Sequence, residues 1–222
     1  PPRACSDQGT FARSNPTPFH LMSLRAPTDT LSMAASNKWL MSSFAYYLDF
    51  FTVPLFVVVA IGIAPFHPLQ AIAGLLIWSL LEYLVHRFLF HGLYRKEHWT
   101  HHVNVLAYIG VSSWKTSSVY SVLLLLAWLT GLTSAFVGLV AGYFCYISVH
   151  FVMHRPTHPA YRFITGLIAN HDLHHRKGIE KNFGVSSPLW DHVFRSYLRT
   201  EASAVSAEIP LRPQACEQTE HP

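Results

Sequence analysis

Residues 86–102 read HRFLFHGLYRKEHWTHH, five histidines in seventeen positions. The run before them, LQAIAGLLIWSLLEYLVHRFLF over residues 69–90, is about the length an α-helix needs to cross a bilayer. The stretch therefore marks the place where an apolar helix leaves the membrane and a dense set of imidazoles begins. A titratable ring gains nothing from lying beside hydrocarbon, so its concentration there has to answer to some other chemistry.

The regions outside this stretch repeat the apolar pattern. FAYYLDFFTVPLFVVVAIGIA, residues 44–64, is a second candidate span, separated from the first by a PFHP turn. Residues 117–154 are apolar for longer than one crossing needs, and Gly131 and Thr133 near the middle predict two helices joined by a tight turn. The expected fold is all-α: an integral membrane protein with four transmembrane helices in two hairpins and a helical cytosolic cap. Only 13% of the 222 residues are charged, against about 25% in a typical soluble domain. All 16 Lys and Arg lie in the N-terminal segment, in residues 87–115 or after residue 154, and the two outer turns carry none. By the positive-inside rule, both termini and every histidine cluster are expected on the cytoplasmic side.

The same composition narrows the partners. The net charge of +4 comes from basic residues flanking apolar segments, which suits an anionic membrane surface and gives no reason to expect nucleic acid. Cys5, Cys145 and Cys216 are far apart and suggest neither a disulfide framework nor a cysteine zinc site. Residues 1–38, rich in Pro, Ser, Thr and Ala without an apolar core, are expected to be disordered and not a signal peptide. The membrane domain is expected over 39–199, with a polar tail over 200–222.

Ten of the 15 histidines fall into four boxes: His86 and His91; His98, His101 and His102; His150 and His154; His171, His174 and His175. Imidazole is the commonest metal ligand. The four-residue step from His150 to His154 puts two rings on one helix face. Each HxxHH box offers two rings on one face and a third turned about 100° aside, so two such boxes can grip a pair of metals from opposite sides. Ten buried imidazoles without a metal would satisfy one another poorly. A pair of b-haems would need only four histidines and no HxxHH repeat. The ligand type suits iron, zinc, copper or nickel and does not choose among them.

The ordered boxes resemble those of the fatty acid hydroxylase / sterol desaturase superfamily of membrane histidine-box di-iron oxygenases. HRFLFH at 86–91 and NFGVSSPLWDHVF at 182–194 look most similar to the fatty acid 2-hydroxylase branch. The resemblance implies two iron ions (zinc is possible in purified samples), O2 as co-substrate, a lipid substrate and an external electron donor. No cytochrome b5 domain is apparent before the core, so a separate cytochrome b5 or ferredoxin system is expected. Sterol or carotenoid hydroxylation or desaturation are the rival chemistries within the superfamily, and a membrane metal transporter is the rival from another class. The boxes lie at one membrane face, whereas transport sites usually sit near the midplane.

Around the boxes, Glu82, Asp172, Asn182 and Asp191 are the candidates to hold a ligand's second ring N–H or to shape the turn after the last box. Tyr143, Tyr146 and Trp190 are the candidates to line a lipid channel.

Overall fold

A computed structural model describes residues 37–176 and 180–199, and these contain no β-strand. The tail over 200–222 and almost all of the 1–38 segment lie outside the described residues. Asn37–Trp39 forms a short 3-10 turn. Helix α1 spans Ser43–Ile63, α2 Pro68–Leu84, α3 Arg95–Val103, α4 Ser113–Leu129, α5 Thr133–Met153, α6 Thr165–Arg176 and α7 Leu189–Val193.

Local chemistry sets the helix ends. Ser42 caps α1 by accepting a hydrogen bond from the Ala45 amide at 3.2 Å. Pro65 biases Ala64 toward extended backbone and so ends α1. Three residues on, Pro68 occupies the first position of α2, where its missing N–H costs nothing. Gly131, at φ +72°, makes the left-handed turn that stops α4. Beyond Leu84 the second helix continues but widens, and Val85–Leu93 is π-helical.

Helix α5 is central and packs against α1, α2 and α4. Its contact with α2 is a backbone-to-backbone approach through small residues. A Cβ on Gly138 would lie 1.8 Å from the Ala71 carbonyl oxygen, and one on Gly74 would lie 1.9 Å from that of Ala135. One turn further, Trp78 fills the space left by Gly142. Such small-residue seams let helices approach closely where apolar surface alone gives no preference for neighbour over lipid. On the other side, Val53 and Ala60 of α1 and Tyr120 of α4 pack with Phe136, Val137 and Val140.

Two polar contacts give the helix directions. At one end the His67 amide donates to Ser134 Oγ at 2.8 Å, tying the α1–α2 turn to the start of α5. At the other end Ser113 Oγ donates to the Ala45 carbonyl at 3.1 Å, so α1 and α4 begin side by side. Neighbours therefore run alternately up and down. Among the described residues, three helical stretches are long and apolar enough to cross a membrane: Ser43–Ile63, Pro68–Leu93 and Thr133–Met153. At 17 residues, α4 is about 26 Å long and falls short of a typical hydrocarbon core of about 30 Å. The outward faces expose large apolar side chains such as Phe51, Val58, Leu69 and Leu125, as expected of helices solvated by lipid.

Gly138→Ala should test the α2–α5 seam. The added methyl collides with backbone that no rotamer can move, so a loss of about 2 kcal/mol or more is expected, read as a lower Tm in detergent. Gly62→Ala, where the new Cβ meets nothing within 4 Å, should leave Tm unchanged or raised.

Candidate metal centre

All ten boxed histidines come together at the end of the bundle where α2 and α5 finish. His86, His91, His98 and His174 form one group and His101, His154, His171 and His175 a second; within each, the ligand atoms lie within 4.8 Å of one another. Nitrogen contacts add one ring to each group. His102 Nε2 lies 3.1 Å from His98 Nε2, and His150 Nε2 lies 3.1 Å from His101 Nε2 and 3.4 Å from His154 Nε2. The result is five imidazoles around each of two centres.

The π-helix explains the first box. In an α-helix, at about 100° per residue, His86 and His91 would point about 140° apart. The i→i+5 winding, at about 4.4 residues per turn, brings that difference down to about 50°. The two rings accordingly lie 5.1 Å apart, centroid to centroid.

The ring nitrogens face inward as bare lone pairs. His86 Nδ1 lies 2.5 Å from the Phe183 carbonyl and His174 Nδ1 lies 2.7 Å from that of Lys181. A carbonyl only accepts, so both Nδ1 atoms carry the proton and both Nε2 atoms present a lone pair. His86 Nε2 then sits 3.1 Å from His98 Nε2, and His174 Nε2 3.0 Å from His91 Nε2. In the second group, His171 Nε2 lies 3.1 Å from that of His154 and 3.0 Å from that of His175. One N–H cannot serve two neighbours, so hydrogen bonding does not account for these clusters. Two nitrogens on one ion at about 2.1 Å sit about 3.0 Å apart at a right angle and about 3.4 Å apart at the tetrahedral angle. The observed spacings are edges of such a polyhedron, so the residues present fit two bound metals.

Electrostatics agree with that fit. Burial, then the neighbouring imidazoles, hold His98, His101 and His171 well below the usual histidine range. Burial first lowers His102 to about 2. His154 falls to about 4 through burial and the adjacent Arg155, and His175 is lowered likewise. The rings are neutral at pH 7, the form that donates a lone pair to a metal.

None of the four polar candidates around the boxes bonds a ligand ring; Glu82, Asn182 and Asp191 fasten the loop after the last box. Glu82 bonds no histidine. Its Oε1 accepts from the Val185 and Ser186 amides, each at 2.7 Å, and its Oε2 from the Ser186 hydroxyl. Buried Asp191 accepts from the Phe183 amide at 2.9 Å, the Gly184 amide at 2.7 Å and Ser196 Oγ at 2.7 Å. The peptide unit joining Phe183 to Gly184 thus receives the His86 proton on its oxygen and gives its own to Asp191. A Cβ on Gly184 would lie 2.1 Å from the Ser187 carbonyl oxygen and 2.9 Å from Asp191 Oδ2, so only glycine fits this bridge. Asn182, at φ 54°, binds the Leu198 amide and carbonyl and the Asn170 carbonyl. Asp172 is exposed and lies 3.8 Å from Arg176. Nδ1 of His102, His171 and His175 is buried without a partner, so these rings lack the carbonyl brace given to His86 and His174.

A cavity of about 150 Å³ opens onto His98, His101 and His150, with Tyr143, Tyr146 and Phe50 in its wall. The Tyr146 ring stacks on His150 at 5.8 Å. Trp190 is not in the wall; its Nε1 donates to Ser79 Oγ at 3.0 Å. Residues that sequence reasoning passed over are Phe183 and Lys181, whose backbone carbonyls do the bracing and leave no side-chain signal, and Asp49, which joins the cavity wall.

The sequence model of the fatty acid hydroxylase family matches residues 71–196, which carry all four boxes and the bracing loop. The chain belongs to the fatty acid hydroxylase family. Among the family's curated relatives, ceramide very long chain fatty acid hydroxylase SCS7 of Saccharomyces cerevisiae is 30% identical, over 58% of this chain and 38% of that one. Fatty acid 2-hydroxylase of Rattus norvegicus is 29% identical, over 59% and 40%. Dihydroceramide fatty acyl 2-hydroxylase FAH2 of Arabidopsis thaliana is 29% identical, over 59% and 61%. The chain thus spans 38% to 61% of the length of these relatives. The solved structure of full-length scs7p, with only its hydroxylase domain visible, aligns with a TM-score of 0.53 and 25% identity, covering 71% of this chain and 68% of that one.

Two outcomes are expected. Asp191→Asn keeps the shape but weakens the bridge to His86, so metal retention against a chelator should fall about tenfold, read by metal analysis of protein with unchanged helicity. Separately, the metal-free protein should lose Tm as pH falls from about 7 to about 5. The folded rings titrate below the unfolded value of about 6.5, so below that value protons bind the unfolded chain first. A flat Tm over that range would contradict the neutral-ring assignment.

Proposed function

We propose that this protein is an O2-dependent di-iron hydroxylase acting on a C–H bond of a lipid acyl chain. The observation that carries the reading is the convergence of two sets of imidazole nitrogens beside an apolar cavity. His86, His91, His98, His102 and His174 would hold one iron, and His101, His150, His154, His171 and His175 the other. Two irons supply the O2 and electron-transfer chemistry that no side chain provides. The balance is one C–H bond and O2, with two electrons and two protons, giving the alcohol and water. The electrons come from an external donor, such as a cytochrome b5 or ferredoxin system.

The chain's own residues have three tasks. The cavity wall binds the acyl chain by apolar contact and excludes water. His98, His101 and His150 form the part of that wall nearest the reacting carbon, and Tyr146 holds the His150 ring plane. The loop at 181–186, fastened by Glu82 and Asp191, keeps the Nδ1 protons of His86 and His174 in place and their lone pairs aimed inward.

In the membrane, α1, α2 with its π-helical extension, α4 and α5 form four spans in two hairpins within a domain over 39–199. The distribution of Lys and Arg supports cytoplasmic placement of the histidine end and of both termini. The relatives' names support acyl chains of ceramides or fatty acids as the substrate class.

Iron-loaded protein, given lipid, reductant and 18O2, should yield a hydroxylated acyl chain carrying one labelled oxygen. His174→Ala should reduce product by at least a hundredfold. A new double bond without label would overturn hydroxylation, and full metal loading with no O2-dependent lipid change would overturn the enzyme reading.

A further inference from the structure

Two carboxyls are buried in α1 and α2 at this end of the bundle, Asp49 and Glu82. Glu82 is fully engaged by the loop at 185–186. Asp49 is not. It sits in the second turn of α1, 8% exposed. Its Oδ2 accepts a long hydrogen bond, 3.4 Å, from the Tyr143 hydroxyl. The hydroxyls of Ser113 and Thr52 lie close to the carboxyl. Ser113 Oγ, however, donates to the Ala45 carbonyl, and Oδ1 of Asp49 is left without a partner. A buried acceptor without a donor is destabilising, and more so when charged. Leucine or valine, abundant in the rest of α1, would avoid that cost.

Its position supplies the reason. Asp49 lines the cavity that opens onto His98, His101 and His150, and Phe50, Phe90 and Tyr146 make much of the remaining wall apolar. A site built of apolar wall with one convergent polar group selects a ligand that is mostly hydrocarbon with one matching polar function. A carboxyl held only by one long bond keeps acceptor capacity that matches a hydrogen-bond donor.

We propose that Asp49 is the residue that reads the polar group of the lipid: it accepts a hydrogen bond from an uncharged donor, an amide N–H or a hydroxyl, next to the bound acyl chain. The inference rests on the reading of the cavity as a lipid site. It makes Asp49 a specificity-determining residue that favours amide- and alcohol-bearing lipids over simple esters. With an ester the acceptor stays empty and the desolvation cost of Asp49 is not recovered.

The test compares two ligands of equal chain length, N-(2-hydroxyethyl)decanamide, which offers both donors, and methyl decanoate, which offers none. Kd is measured for each with the full chain in lipid nanodiscs. Wild type should prefer the amide by at least about tenfold, the range expected for one hydrogen bond to a charged or buried acceptor. In Asp49→Leu the ratio of the two Kd values should shrink about tenfold, and Asp49→Asn, which keeps an acceptor oxygen, should retain most of it. A ratio equal within twofold in wild type and Asp49→Leu overturns the proposal. Should Asp49→Leu fail to fold, the infrared difference spectrum of wild type decides. A carboxyl band that shifts on adding the amide but not the ester supports the assignment, and a band that shifts with neither overturns it. Hydroxylation of wild-type substrate is scored separately, so an inactive protein that still shows the Asp49-dependent preference would sink the enzyme reading and leave this one standing.

Discussion

Ten imidazoles can share one small volume only if every ring is neutral and the rings face common centres. Protonated rings would repel one another across 3 Å contacts, and neutral rings with misdirected lone pairs would be buried polar groups without partners. The remainder of the architecture serves this constraint. Four separate chain segments must each present rings at fixed angles, so each is a helix, and the loop after the last box must brace the rings from behind. Asp191 and Glu82 enter here as fasteners of that loop. They act through peptide groups, so neither carboxyl competes for a coordination position.

The backbone pays for this arrangement at one place, the π-helical stretch Val85–Leu93. Each π turn gives weaker packing along the helix axis than an α turn, and such stretches are short and tend to mark functional sites. Here the cause is legible in the spacing. A five-residue step between two ligands has no common face on an α-helix, whereas the four-residue step of His150 to His154 does, and that box lies at the end of a regular α-helix. The two boxes differ by one residue, and the backbone absorbs the difference.

Much of this was readable in the sequence. The PFHP turn, the break at Gly131 and the membership of all ten histidines in one site follow from local patterns: proline positions, a left-handed glycine and box spacing. The Ala71–Gly74 and Gly138–Gly142 seam, the Leu40–Ile109 pairing beside the cavity and the Phe183 carbonyl on His86 were not, because each depends on backbone atoms of residues far apart in the chain. Asp49 was visible as an acid in an apolar helix. Its proximity to the histidines depends on α5 lying between α1 and α2, which no local pattern encodes. Asp172, inside the fourth box, faces solvent because residues 171, 174 and 175 already take the inward side of α6.

The two histidine doublets set how close the two centres lie. His101 and His102 are consecutive on α3, yet His102 contacts the group of His98 and His101 the group of His150. His174 and His175 are consecutive on α6 and divide in the same way. Adjacent residues on a helix point about 100° apart, so each doublet straddles the gap between the centres, and a gap wider than two neighbouring rings can span would leave one ring of each pair idle. The membrane half must hold the same gap from below, because His86 comes from the second helix and His150 from α5. That is the role of the glycine seam: with Cβ atoms absent at Gly74 and Gly138, α2 and α5 touch backbone to backbone. The first and third boxes are thereby held at a separation that the doublets can bridge. The spacing of the candidate metal centre is therefore fixed twice, by the HxxHH boxes in the cap and by small residues in the apolar core.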